Sequence, residues 1–342
     1  MLSYDDCIVK SCNLKVNVLG QPCYNESMVK IDLITGFLGS GKTTFLKKYA
    51  KHLIDSGENI CILENDFGAV NVDMMMLSDL LGDCCELEMV AGGCDYDCHK
   101  RRFKTKLIAM GMCGYDRVIV EPSGIYDMDE FFDTLREDPL DRWYEITNVF
   151  AIVDAGIDRA LSDTSRYLLS SQTAGAGRIF LSHTAGLSKA DMEDTCRFLQ
   201  ETLASFKCNR DITDCIEAKG WDTFTHEDWL KIEKSGYHIA DHVKLPAVED
   251  NAYTSVYFMN LPITRDILQE KIPLLFSDSS FGNVIRVKGF FKENDSWILV
   301  NATRKGTSID SLPDGQEVII IIGEGLDEAA IDAFIRGGSV LE

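Results

Sequence analysis

Apolar and polar positions change period along this chain, and the changes mark its elements. Short apolar runs fall at 30–35, 59–65, 86–90, 117–121, 147–154 and 178–182. Two of them, Val118-Ile119-Val120 and Val149-Phe150-Ala151-Ile152-Val153, are apolar without alternation. That suits strands covered on both faces. Between the runs lie stretches read as helices, at 43–56, 97–112, 128–135, 158–170 and 188–206. Strands alternating with helices predict an α/β fold, a mostly parallel, doubly wound sheet. Residues 207–250 are less regular, a short strand–helix piece and then a linker around 241–251. Beyond it come strand 253–260, helix 263–275, strands 283–291, 297–302 and 317–323, and helix 327–337, a smaller C-terminal α+β unit. The expected domains are therefore 28–240 and 251–342, behind an N-terminal extension at 1–27. The extension is read as a disordered tail or a misassigned start, because Met28 stands two residues before the first strand. A metal-binding extension using Cys7, Cys12 and Cys23 is the alternative.

In an open α/β sheet, ligands sit beyond the carboxyl ends of the strands. After the first strand comes Gly36-Phe37-Leu38-Gly39-Ser40-Gly41-Lys42-Thr43-Thr44, which fits G-x-x-x-x-G-K-[ST] in its strand–loop–helix context. Gly36, Gly39 and Gly41 let the backbone curl, so that N–H groups from Ser40 to Thr44 face phosphate oxygens at a helix N-terminus. Lys42 would reach the β- and γ-phosphates, and the Thr43 hydroxyl would bind Mg²⁺. The motif marks a P-loop nucleoside triphosphatase.

Three other strand-end segments carry candidate chemistry. The second strand ends Glu64-Asn65-Asp66-Phe67-Gly68, where Asp66 would hold Mg²⁺, directly or through water, or orient the attacking water. The fourth ends Val120-Glu121-Pro122-Ser123-Gly124, a Walker B arrangement with Glu121 in the acid position. Gly124 would let a backbone N–H approach the γ-phosphate, and that loop would change shape when the phosphate leaves. Between them, Gly93-Cys94-Asp95-Tyr96-Asp97-Cys98-His99 offers two thiols and an imidazole, the ligand types Zn²⁺ prefers. Cys94, Cys98 and His99 are the candidate transition-metal ligands, with Asp95 or Asp97 completing the set. The plainer reading has both thiols as small buried residues and His99 on a helix surface.

Charge narrows the partners. With 34 basic and 55 acidic residues the formal charge is −21, which repels nucleic acid and anionic membranes. No apolar run approaches the roughly 20 residues of a membrane span, and residues 1–27 lack the apolar core of a secretory signal. The expected compartment is the cytoplasm, where the 12 cysteines stay reduced.

Together these motifs resemble the CobW-like members of the SIMIBI class of P-loop GTPases, relatives of UreG and HypB. The resemblance rests on G-F-L-G-S-G-K-T-T at 36–44, E-N-D-F-G at 64–68, the Gly-Cys pair at 93–94 and E-P-S-G at 121–124. It extends to Gly282-Asn283-Val284-Ile285-Arg286-Val287-Lys288-Gly289-Phe290, similar to the family's C-terminal V-x-R-x-K-G strand. It implies GTP as the nucleotide and a switch in metal delivery or metalloenzyme assembly, with a client metalloprotein or target enzyme as partner. The chain departs from the pattern twice. Tyr96 and Asp97 stand where the family's Cys-x-Cys-Cys has its last two thiols. Ser182-His183-Thr184-Ala185 stands where a guanine-reading Asn-Lys-x-Asp is expected, so ATP stays open beside GTP.

The resulting expectation is a Mg²⁺-dependent triphosphatase of slow intrinsic turnover, with Lys42, Asp66 and Glu121 at the reaction. Three rivals remain: an activator of a partner enzyme that holds no metal, a P-loop small-molecule kinase, and a nucleotide-gated binding module. A homodimer is open.

Overall fold

A computed structural model describes residues 28–66, 76–91, 96–239, 253–259, 264–294, 296–312 and 317–337. The expected extension at 1–27, Phe67 and Gly68, Gly93, Cys94 and Asp95, and the linker around 241–251 lie outside these residues.

The apolar runs become strands β1 (Val29–Thr35), β2 (Ile60–Asp66), β3 (Cys85–Ala91), β4 (Arg117–Pro122), β5 (Tyr144–Asp154) and β6 (Arg178–Ser182), with β7 (Ile216–Glu217) at the edge. They form one sheet in the order β3-β2-β4-β1-β5-β6-β7. All of its described pairings are parallel. Helices α1 (Lys42–Asp55), α2 (Tyr96–Gly111), α3 (Met128–Leu135), α4 (Leu140–Trp143), α5 (Asp163–Ala174), α6 (Lys189–Ser205) and α7 (His226–Ile232) flank it.

Successive side chains of a strand point to opposite faces, and here each face has its own core. Leu33, Val118, Val120, Val149, Ala151 and Val153 pack with Phe103, Phe131 and Leu199. Ile34, Ile119, Phe150, Ile152 and Phe180 pack with Phe45 and Tyr49 of α1 and Trp229 of α7. This is why β4 and β5 read as unbroken apolar runs. A charged cluster is buried at the sheet. Arg117 Nη1 donates to Asp32 Oδ2 at 2.5 Å and its Nε to Glu58 Oε2 at 2.7 Å.

Helix α5 begins at Asp163, not at the expected residue 158, and runs on to Ala174. The polar stretch before it is a turn in which Asp158 accepts from the Ala160 N–H. Ser162 then caps the helix by accepting from the Ser165 N–H.

The C-terminal unit is a second sheet of β8 (Tyr253–Met259), β9 (Asn283–Glu293), β10 (Ser296–Thr303), β11 (Gly306–Leu312) and β12 (Val318–Glu324), with α8 (Arg265–Ser277) and α9 (Glu328–Arg336). Its order is β11-β10-β9-β12-β8, antiparallel throughout its described pairings. The polar edge strand β11 was not expected from the apolar pattern. One face of the sheet packs Val284, Val287, Val300 and Ile321 against Leu268, Ile272 and Ile331 of the two helices. The other face turns toward the first domain. Among the described residues no helix is long and apolar enough to cross a membrane.

Candidate phosphate-binding site

The strand order puts β1 between β4 and β5, so the loop after β1 emerges beside the ends of both. Its backbone takes conformations that side chains resist. Gly36 has φ +148°, and a Cβ there would lie 2.2 Å from the Ile152 carbonyl oxygen. Gly39 and Gly41 sit at φ +76° and +94°. Gly41 is the N-cap of α1, and no side chain caps that helix. The first-turn N–H groups, including those of Thr43 and Thr44, have no intrahelical acceptor at such an end, and with the helix dipole they favour an anion.

Lys42 opens α1 and is buried, its Nζ donating to the Gly36 carbonyl at 3.2 Å. The ammonium therefore folds back across the loop. Thr43 Oγ1 donates to Glu121 Oε1 at 2.9 Å. Glu121 lies near the end of β4 and is buried; Ser40 is buried as well, and Thr44 is exposed. Gly124 packs directly on the loop, where a Cβ would lie 2.7 Å from the Leu38 backbone nitrogen. Its carbonyl accepts from Gln172 Nε2 of α5 at 3.1 Å. The Walker B loop is also held by β2, since the Ser123 N–H donates to the Asn65 carbonyl at 2.9 Å. Asp66 closes β2 opposite Ala91 of β3; its side chain lies outside the described residues.

The glycine cradle, the buried lysine and the threonine–carboxylate pair are a donor set that fits a triphosphate with Mg²⁺. They bound a cavity of about 250 Å³. Its near wall is Leu38, Gly39, Gly41 to Thr44, Glu64 and Glu121 to Ile125, and its far wall comes from the C-terminal sheet, with Tyr257, Arg286, Lys288 and Asn301. The far wall was not expected. The signal for it was faint: Arg286 and Lys288 are two apart on one strand and so share a face.

The candidate metal segment is only partly visible. Cys98 is half-buried on α2. His99 is not on a helix surface. It is fully buried, with Nε2 2.7 Å from Asn65 Oδ1. Among the described residues no group of three or more His, Cys, Asp or Glu could hold a metal ion.

On the base side, His183 follows β6 with φ +51°. Its Nδ1 lies 3.2 Å from Asp154 Oδ2, an oxygen that Lys305 also reaches at 2.7 Å. Trp221 packs at the loop, 3.6 Å from where a Cβ on Gly41 would stand. An aromatic ring at that place was a second residue the motif reading missed.

The profile of the "CobW/HypB/UreG, nucleotide-binding domain" family matches residues 30–213, more than half of the chain. The chain belongs to this family. Zinc chaperone YjiA of Escherichia coli (strain K12) is 28% identical over 186 residues, covering 52% of this chain and 54% of that protein. Zinc chaperone YeiR of the same organism is 31% identical over 128 residues, 37% of this chain and 38% of that protein. The chain thus spans about half or less of the length of the curated relatives it matches. Among solved structures, Zn(II)-bound YjiA GTPase from E. coli is similar at 20% identity and a TM-score of 0.38, covering 90% of this chain and 98% of that one. Hydrogenase maturation factor HypB from Archaeoglobus fulgidus is similar at 14% identity and a TM-score of 0.37, covering 60% and 87%. The CobW-family match takes in the P-loop, the end of β2, the Cys94–His99 segment and the Walker B loop, and it stops before the C-terminal sheet.

Proposed function

We propose that this CobW-family chain is a slow, Mg²⁺-dependent GTPase that switches with its nucleotide to deliver a transition metal to a client metalloprotein. The observation that carries the reading is the Thr43–Glu121 contact at 2.9 Å. It brings a P-loop hydroxyl and a Walker B carboxylate together beside a buried lysine. When bound, Mg²⁺ would be held by Thr43 with Glu121 and Asp66, and would neutralise charge on the β- and γ-phosphate oxygens.

The chain's own residues have distinct tasks. Lys42 gives its ammonium to the β- and γ-phosphates in place of the Gly36 carbonyl. The loop N–H groups and the start of α1 hold the phosphate chain in line. Asp66 or Glu121 orients the attacking water. Once the γ-phosphate leaves, the Gly124 loop loses a contact and relaxes. Ser123 of that loop is bonded to Asn65, and Asn65 to His99, one residue from Cys98. This chain of contacts gives the nucleotide a route to the Cys94–Cys98 segment, where the cargo metal would sit.

Zinc is the first choice of cargo, on the names of the YjiA and YeiR relatives. GTP is the first choice of nucleotide and ATP the second, because His183 stands where a guanine-reading segment is expected. A second reading, an NTP-dependent activator of a partner enzyme that carries no metal, draws on two observations. His99 Nε2 is already engaged by Asn65, and Tyr96 and Asp97 replace two thiols.

The test is a titration of reduced protein with Zn²⁺ and Co²⁺, with and without GTP and Mg²⁺, reading Co²⁺–thiolate absorbance. One tight equivalent whose affinity shifts with nucleotide, and which is lost in Cys94→Ser with Cys98→Ser, is expected. No bound metal in either nucleotide state would overturn metal delivery and favour the activator.

A further inference from the structure

The C-terminal sheet has two faces, and only one is accounted for by its own helices. On β9, Val284 and Val287 face the helices, whereas Arg286 and Lys288 face the other way. Their neighbours in register are apolar or neutral. Arg286 lies opposite Ile322 of β12 and Thr303 of β10, and Lys288 lies opposite Ile320 and Asn301. That second face is docked on the nucleotide-binding domain. Phe290, Leu299, Val318 and Ile320 form a small buried cluster that reaches Met76. Two ordinary cations would stay in water, yet Lys288 is only 7% exposed.

What these cations border is the phosphate cavity, at the wall opposite Lys42, Thr43 and Glu121. Leu38 and Gly124 line the same cavity. Arg286 is oriented by its own sheet, its Nε donating to Asn301 Oδ1 at 2.9 Å. A cationic fork and a buried ammonium on the far side of a P-loop cavity suit the charge that develops on a transferring phosphoryl group.

We propose that Arg286 and Lys288 contact the terminal phosphate of the bound nucleotide, so that the C-terminal sheet supplies, within one chain, charge that stabilises its transfer to water. In that step the water oxygen bonds to the γ-phosphorus as the bond from phosphorus to the bridging oxygen breaks. The nucleoside diphosphate leaves with that electron pair, and the proton of the water goes to inorganic phosphate. The same contacts make the C-terminal domain the part that distinguishes triphosphate from diphosphate. The proposal rests on the GTPase reading above.

The experiment compares the full chain with Arg286→Gln, Lys288→Gln and the double variant. Affinities for GDP and for GTPγS are measured alongside phosphate release. The double variant is expected to release phosphate about 100-fold more slowly or worse. Its GTPγS affinity should fall about tenfold while its GDP affinity stays at the wild-type value, which also shows that it is folded. A role in domain packing alone would move both affinities together or neither, and that result overturns the proposal. A measurement on the wild-type chain covers variants that fail to fold. Hydrogen exchange in β9 should slow with GTPγS and not with GDP, and equal protection overturns the proposal. If the wild-type chain binds no triphosphate, the GTPase reading itself fails. If it binds and hydrolyses GTP and the variants match it, only the role of Arg286 and Lys288 fails.

Discussion

Lys305, on the turn between β10 and β11, donates to Asp154 at the end of β5 with Nζ 2.7 Å from Oδ2. The contact ties the C-terminal sheet to the edge of the phosphate-binding loop. Burial works to raise the Asp154 carboxyl, but His183, Lys305 and the Gly156 N–H outweigh it and bring it down to about 2. An unfolded aspartate titrates near ~3.9. A depressed carboxyl adds stability that is fully present above the unfolded value and is lost as pH falls through the folded one. This pair should therefore support the fold above about pH 4 and cease to do so toward about pH 2. Lys305→Ala is expected to lower stability at neutral pH by an amount that shrinks as pH falls toward about 2, so the variant and wild-type curves differ above about pH 4 and converge below it. Coincident acid-unfolding curves would contradict this.

Arg117 is 2% exposed and is shared by Asp32 and Glu58. Burial disfavours its charge, yet Glu58 and Asp32 outweigh that and keep the guanidinium charged. Arg117→Met would strand the fully buried Asp32 among Tyr49, Thr147 and Asn148, which hydrogen-bond it but bring no charge. Breaking such a pair from one side costs about 3–5 kcal/mol. Denaturant unfolding should show a loss of that size, and an unchanged midpoint would refute the assignment.

Gly124 and Leu38 meet backbone to backbone. Gly124→Ala would force the P-loop to shift, because no side-chain rotamer can relieve the contact. A loss of about 1–3 kcal/mol in stability is expected from overpacking, with slower phosphate release. Unaltered turnover would mean that the loop tolerates the shift and that the contact does not position the site.

His99 and Asn65 link α2 to the end of β2. Asn65→Ala removes the amide that the buried imidazole contacts at 2.7 Å, at a cost of about 1–3 kcal/mol. The carbonyl that holds Ser123 is retained, so nucleotide affinity should survive. The effect of nucleotide on metal affinity should shrink. A full nucleotide effect in the variant would show that the signal takes another path.

Much of this was legible in the sequence because it is local. The P-loop carries its own strand, glycines and helix start within a few residues of one another. The strands of the first sheet announced themselves because both of their faces are apolar. The start of α5 did not, because the polar turn at 158–162 has a composition as compatible with a helix as with a turn, and only the Ser162 cap separates them. Strand β11 was hidden because it is a polar edge whose partner, β10, decides its conformation. The position of His99 depends on how α2 packs against β2, and that of Arg286 and Lys288 on how two domains meet. No local pattern encodes either.

The central claim is that residues 36–44 bind a nucleoside triphosphate through Lys42. The most direct measurement is GTP affinity and phosphate release for the full chain beside Lys42→Ala, with folding monitored in both. Tight binding and slow release are expected in the wild type. In the variant, affinity should fall by roughly 100-fold or more, as suits the loss of a charge-assisted phosphate contact of about 3 kcal/mol. A folded Lys42→Ala protein with wild-type affinity would contradict the account.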